Sequence, residues 1–159
     1  MSLQDRVQTD IATAMRAGDG LRRDVLRMVS SAAYNVEKRQ GHPLTDDEYL
    51  GVLSREVKTR RESVEAFRAG GRDDLVAKEE AEIAIIAAYL PAALGEAEVA
   101  ALVDEAIAAT GASSPRDLGK VMGWLSPRTR GRADGKQVSE LVARKLAGAD
   151  LAAHDRGTH

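Results

Sequence analysis

Gly131-Arg132-Ala133-Asp134-Gly135-Lys136 is a polar turn set between two apolar patterns, Leu118, Val121, Met122 and Leu125 before it and Val138, Leu141, Val142 and Leu146 after it. Both patterns step by three and four, the period of an amphipathic helix. Asp134 is placed to cap the second helix, with Gln137 three residues on to complete a capping box, so a helix starts at about Gly135. Nowhere in the chain does the period-two alternation of a strand occur, and the fold class is therefore all-α, with about seven helices.

The same stretch carries the densest positive charge. Between Arg116 and Lys145 eight Lys or Arg face three acids, a local net charge of +5 in a chain whose total is −2. Lys120, Arg128, Arg130, Arg132 and Lys136 are the candidate phosphate-binding residues, because they surround a helix N-terminus whose N–H groups and dipole also favour an anion. The negative charge lies elsewhere: Asp73 to Glu105 holds nine acids against the single base Lys78.

Working outward, Leu3, Val7, Ile11, Ala14 and Met15 form the apolar face of a first helix, and Leu21, Val25, Met28, Val29, Ala32 and Val36 that of a second. On the second, Arg23, Arg27, Ser31 and Asn35 share another face at steps of four. Thr45 and Glu48 read as a capping box opening a third helix that runs to about Ala69. Its stripe of Leu50, Leu53, Val57, Val64 and Phe67 is interrupted by Arg60. A fourth helix carries Val76, Ile83, Ile86 and Leu90, with Glu79 on the same side. A charge on a buried side needs a partner, so Arg60 and Glu79 are expected to pair. Lys58, Arg61 and Arg72 form a second basic patch on and after the third helix.

Pro91 ends the fourth helix by biasing Leu90 away from helical geometry. The expected organisation is residues 1–91 as a four-helix bundle and 92–148 as three shorter helices (Glu96 to Ala109, Pro115 to Leu125, Gly135 to Ala147), with 149–159 as a disordered tail.

With 159 residues, 43% apolar and 30% charged, the chain has the make-up of a globular protein able to bury a core. Aromatics make up only 3%, which leaves little material for stacking bases on an aromatic platform. The absence of cysteine removes disulfides, thiolate metal sites and a thiol nucleophile. Met1 to Asp10 lacks the basic and apolar regions of a signal peptide, and the longest apolar run, Ile83 to Leu94, contains Pro91 and is too short to cross a bilayer, so a cytoplasmic location is expected. His42 sits beside Pro43 and His154 and His159 lie near the end. No catalytic residue, metal site or cofactor loop is therefore expected, and the chain reads as a binding module.

Leu26-Arg27-Met28, the run from Lys58 to Phe67, Gly71-Arg72-Asp73 with Leu75 and Lys78 to Glu82, Tyr89-Leu90-Pro91, Gly119-Lys120-Val121-Met122 and the turn Gly131 to Lys136 together resemble the GatB/YqeY family of small bacterial proteins. The resemblance spans everything but residues 149–159. It implies an N-terminal four-helix bundle and a C-terminal three-helix part similar to the tail domain of the B subunit of the tRNA-dependent amidotransferase. It further implies binding of tRNA, and a family-level activity as a carbon–nitrogen ligase with glutamine as amide donor. The cradle and glutaminase of that enzyme have no counterpart here. Where the family places further lysines between Met122 and Gly131, this chain has Trp124, Ser126, Pro127, Arg128 and Arg130, keeping the charge on a differently shaped segment. The expected partner is tRNA or another structured RNA; the rival expectation is an adaptor that docks on a larger enzyme.

Overall fold

The computed structural model describes the backbone of residues 1–157 and the side chains of 1–149. The described chain is all helical and divides into two compact units, Met1–Pro91 and the remainder from Ala92. The first contains α1 (Leu3–Ala17), α2 (Gly20–Gln40), α3 (Asp46–Ala69) and α4 (Asp73–Ala87). The second contains α5 (Glu96–Thr110), a 3-10 turn at Pro115–Asp117, α6 (Leu118–Thr129) and α7 (Gly135–Gly157).

Local chemistry sets the helix ends. Ser2, Asp19 and Thr45 each accept a hydrogen bond from the backbone N–H three residues on, and the Glu48 carboxylate accepts one from the Thr45 N–H at 3.1 Å, closing the capping box. Gly18 and Gly41 stop α1 and α2 at φ of 71° and 79°, a conformation that costs other residues strain.

In the first unit α1 packs on α2 and α3 packs on α4, and Val7, Val25, Leu26, Val29, Leu53 and Ile86 are fully enclosed between them. Into this apolar interior α3 sends Arg60, which is 5% exposed. Its Nε donates to Glu82 at 3.3 Å, and its terminal nitrogens donate to the Glu56 carboxylate at 2.8 Å, the Glu56 carbonyl at 3.1 Å and the Met28 sulfur at 3.7 Å. The expected pairing with Glu79 is therefore corrected: the partner on α4 is Glu82, one turn further on. The buried face of α4 is Glu82, Ile85, Ile86 and Tyr89, rotated by roughly 80° from a stripe centred on Ile83 and Leu90. Apolar residues on both sides of this helix made its inward direction ambiguous, and Ile83 and Leu90 end up half-buried at the edge.

The second unit packs α5, α6 and α7 around Val103, Val121, Leu125, Val138, Val142 and Leu146. Lys145 ties α7 to α5 by donating to the Asp104 carboxylate at 2.6 Å and the Ala100 carbonyl at 3.3 Å. Two expected boundaries shift. The segment expected as one helix from Pro115 to Leu125 is a 3-10 turn followed by α6, which runs on to Thr129 through Pro127. The helix expected to end at Ala147 continues as α7 to Gly157, across most of the stretch expected as a disordered tail. A glycine inside a helix costs only about 1 kcal/mol, and the alanine-rich residues after Gly148 favour helix. Residues 158 and 159 lie outside the described residues.

Two predictions follow from this core. Glu82→Gln should lower the unfolding free energy by about 2 kcal/mol in urea denaturation, because it weakens a charge-assisted hydrogen bond to a buried guanidinium. Glu79→Gln should not destabilise at neutral pH. Burial, then the Glu82 charge, hold the Glu79 carboxyl above its ordinary value against the opposing pull of Arg60. A raised carboxyl pKa means stability is lost as pH rises through the carboxylate range, and the neutral Gln removes that loss. The second contrast is between tyrosines. The Tyr49 hydroxyl is buried without a hydrogen-bond partner among the described residues, and burial followed by the Glu37 charge pushes it up to about 12. Tyr49→Phe should be neutral or stabilising. Tyr89→Phe, which loses a hydrogen bond to Asp10, should cost about 1.5 kcal/mol in the same assay.

Candidate nucleic-acid interface

The basic turn between α6 and α7 is built by the end of α6. Thr129 is buried, and its hydroxyl donates to the Leu125 carbonyl at 3.1 Å. Its own carbonyl accepts from Arg132 and Ala133 N–H groups at 2.9 and 3.0 Å, folding the chain back at Gly131, where φ is 76°. The turn is then fastened to the segment before α5. Leu94 N–H donates to the Arg132 carbonyl at 2.8 Å, and Arg132 Nε donates to the Ala92 carbonyl at 3.2 Å.

Each of the five sequence candidates has a distinct setting. Arg130 and Lys136 are exposed on the turn and at the start of α7. Arg132 is half-buried, with one donor committed to Ala92. Arg128 folds back on its own helix: its guanidinium lies 3.6 Å from the centre of the Trp124 ring and donates to the Trp124 carbonyl. Its outer edge still faces solvent. Lys120 is exposed but sits at the other end of α6, about 12 Å along the axis from Arg128 and on the same side as Trp124. The structure thus gathers Arg128, Arg130, Arg132 and Lys136 at one end and leaves Lys120 as an outlier on the same side.

Two details change the electrostatic picture. Asp134 Oδ1 accepts from Lys136 N–H at 3.0 Å, so a carboxylate already occupies the N-terminus of α7. Attraction for an anion therefore comes from the side-chain cations more than from the helix end. Near Lys120, the Asp117 carboxyl is held below its ordinary value by the Ser113 and Ser114 N–H groups and, to a lesser degree, by Lys120 itself. Trp124 is the residue whose role sequence reasoning missed. An aromatic four residues before an arginine on a helix is the signal that would have found it, since i and i+4 side chains meet.

The residues of the second basic patch come from two elements. Arg72 precedes α4 and is held by Asp74 through two hydrogen bonds of 3.2 and 3.1 Å, while Lys58 and Arg61 are exposed along α3. Glu65, on the same face as Arg61, pairs instead with Arg68. Among the described residues no three His, Asp or Glu gather as a metal site, and no helix is long and apolar enough to cross a membrane.

A two-unit helical protein with a clamped basic turn is the class these features define. The chain belongs to the family described as Yqey-like protein, whose model matches residues 4–146. Similar curated proteins include two called "Altered inheritance of mitochondria protein 41, mitochondrial". The one from Pyrenophora tritici-repentis is 30% identical over 89% of this chain and 77% of its own length. That from Lachancea thermotolerans is 31% identical over 88% of this chain and 79% of its own. The expectation of a cytoplasmic protein does not stand against relatives that are mitochondrial by name. It rested on two absences, of a signal-peptide pattern in Met1 to Asp10 and of an apolar run long enough to cross a bilayer, and neither absence places a protein in a compartment.

Trp124 is the only tryptophan in the chain, so its fluorescence reports the basic turn directly. Arg128→Ala should change the emission intensity and raise quenching by iodide, because the guanidinium now covers one face of the ring. Lys136→Ala, which leaves that stack intact, should change neither.

Proposed function

We propose that this protein binds tRNA or another structured RNA through the basic turn of its second unit, and that it works in association with a tRNA-dependent amidotransferase. The observation that carries the first part is the set of four cations, Arg128, Arg130, Arg132 and Lys136, presented on one turn that is itself hydrogen-bonded to the segment at Ala92 and Leu94. Holding the turn in place lowers the entropy lost when side chains settle on phosphates. Lys120 extends the same side by about 12 Å, roughly three to four phosphates of axial advance along a strand. The second part is supported by the resemblance of the C-terminal part, residues 92–148, to the tail domain of the amidotransferase B subunit. The chemistry assigned to this chain is binding, with the amide transfer belonging to the larger enzyme.

Phosphate contacts position a nucleic acid without reading its sequence, so binding should be general for structured RNA and steeply dependent on salt. Titration of the protein, freed of nucleic acid, with total tRNA should give a log–log salt slope between about −2.7, if only Lys120, Arg130 and Lys136 engage phosphates, and about −4.5 if all five do. The double variant Arg130→Ala/Arg132→Ala should weaken binding at least tenfold and flatten the slope by about 0.9 if Arg132 makes no phosphate contact, or about 1.8 if it does. Binding that ignores salt, or that survives both substitutions, would remove the turn as an RNA site.

A further inference from the structure

A groove of about 460 Å³ runs between α2 and α3 in the first unit, and none of the residues assigned to RNA above lines it. Its floor is aliphatic, made by Ala32, Val36 and Val52, the last only 7% exposed. Its rim is cationic, with exposed Lys38, Arg39 and Arg55. None of these three takes an ion pair or side-chain hydrogen bond among the described residues. The one acid on the groove, Glu56, is already held by Arg60 at 2.8 Å. The nearest acid on α2, Glu37, accepts from Leu44 N–H in the connection to α3. Nothing described in the groove answers its positive charge.

The outward face of α2 continues the surface. Arg27, Met28, Ser31, Tyr34, Asn35 and Lys38 follow at helical steps, and no acid occurs between Asp24 and Glu37. Met28, one turn before Ala32 on the same side of α2, is 53% exposed, a large apolar body left in water next to the aliphatic floor. From Met28 to Arg39 is about 16 Å, or three helical turns.

We propose that this face docks an acidic amphipathic helix of a partner protein, with apolar side chains on Val36, Val52 and Met28 and Asp or Glu on Lys38, Arg39 and Arg55. Charge complementarity selects the sign of the partner, and the aliphatic floor selects its kind. A phosphate backbone would answer the three cations and leave the floor and Met28 with nothing to bury. An acidic helix with apolar residues three and four apart answers both, in the helix-in-groove mode of recognition.

The test uses the whole chain, labelled with nitrogen-15, and a synthetic fifteen-residue helical peptide with Leu three and four apart and Glu on both flanks. Amide shifts confined to the groove faces of α2 and α3, affinity that falls at least tenfold for Arg39→Glu/Arg55→Glu, and equal losses when the peptide Glu become Gln or its Leu become Ser are the expected results. The peptide substitutions keep the test valid should the protein variant unfold. The proposal is overturned by shifts on residues after Pro91, by an all-Glu peptide binding as well as the amphipathic one, or by no binding at low salt. It is equally overturned if tRNA displaces the peptide from these residues, which would make the face part of an RNA path. Self-association of the chain that is lost in Arg39→Glu/Arg55→Glu would assign the groove to a second copy instead.

Discussion

The first unit depends on how one guanidinium is neutralised. Arg60 enters the helix bundle from α3 and reaches Glu82 on α4, Glu56 one turn back on its own helix and the sulfur of Met28 on α2. Three helices are thereby referenced to a single planar group. Removing a guanidinium and its carboxylates from water is expensive, and hydrophobic replacements of the same volume are often as stable. What the ionic arrangement contributes is register. A slide of α4 by one turn would bring Glu79 or Ile86 to the place of Glu82, and would leave the charge either without its carboxylate or against a second helical face. An aliphatic interior rich in Val, Leu and Ile has few shape constraints of its own, because such side chains pack acceptably in many relative positions.

That neutralisation has a consequence at the surface. Glu56 faces the groove between α2 and α3 but gives its charge to Arg60, so the groove keeps the sign of Lys38, Arg39 and Arg55. The second unit distributes its cations in a similar division of labour. Lys145 is spent on α5, Arg132 in part on the segment at Ala92, and Arg128 on Trp124, while Lys120 and Lys136 extend to solvent. A count of basic residues in a sequence therefore overstates the charge available to a ligand. The structural cations would still matter to any such ligand, since they hold the backbone on which the exposed ones stand.

The helical class and the main helix starts were legible because they rest on local rules: Ser2, Asp19 and Thr45 cap within three residues, and Gly18 and Gly41 terminate by backbone geometry. Partner choice was not legible. Glu79 and Glu82 lie three apart on one helix, and only the rotation of α4, fixed by Ile85 and Tyr89 as much as by Ile86, decides which one faces Arg60. Position along α6 was equally hidden. Lys120 and Arg128 are near in sequence yet separated by two turns, and the stacking of Arg128 on Trp124 is a side-chain event that charge counting cannot see. The run of α7 beyond Gly148 shows the opposite limit: no apolar stripe marks it in the sequence, yet the backbone is helical as far as Gly157.

The capped start of α7 bears on what kind of recognition the basic turn supports. Backbone N–H groups at a helix N-terminus impose direction, and they hold a phosphate at a defined place. Here Asp134 takes the Lys136 N–H, so an anion at the turn would be met by side chains that reach outward on flexible stems. Such contacts accept many phosphate geometries and discriminate little among them. With only 3% aromatic residues, and Trp124 already covered by Arg128, base stacking adds little selectivity. Selection of a particular RNA would then have to come from a second surface acting together with the turn. A protein partner held on the α2–α3 groove is a physically sufficient source, because linking two weak contacts multiplies their affinities through effective concentration without requiring either to be specific alone.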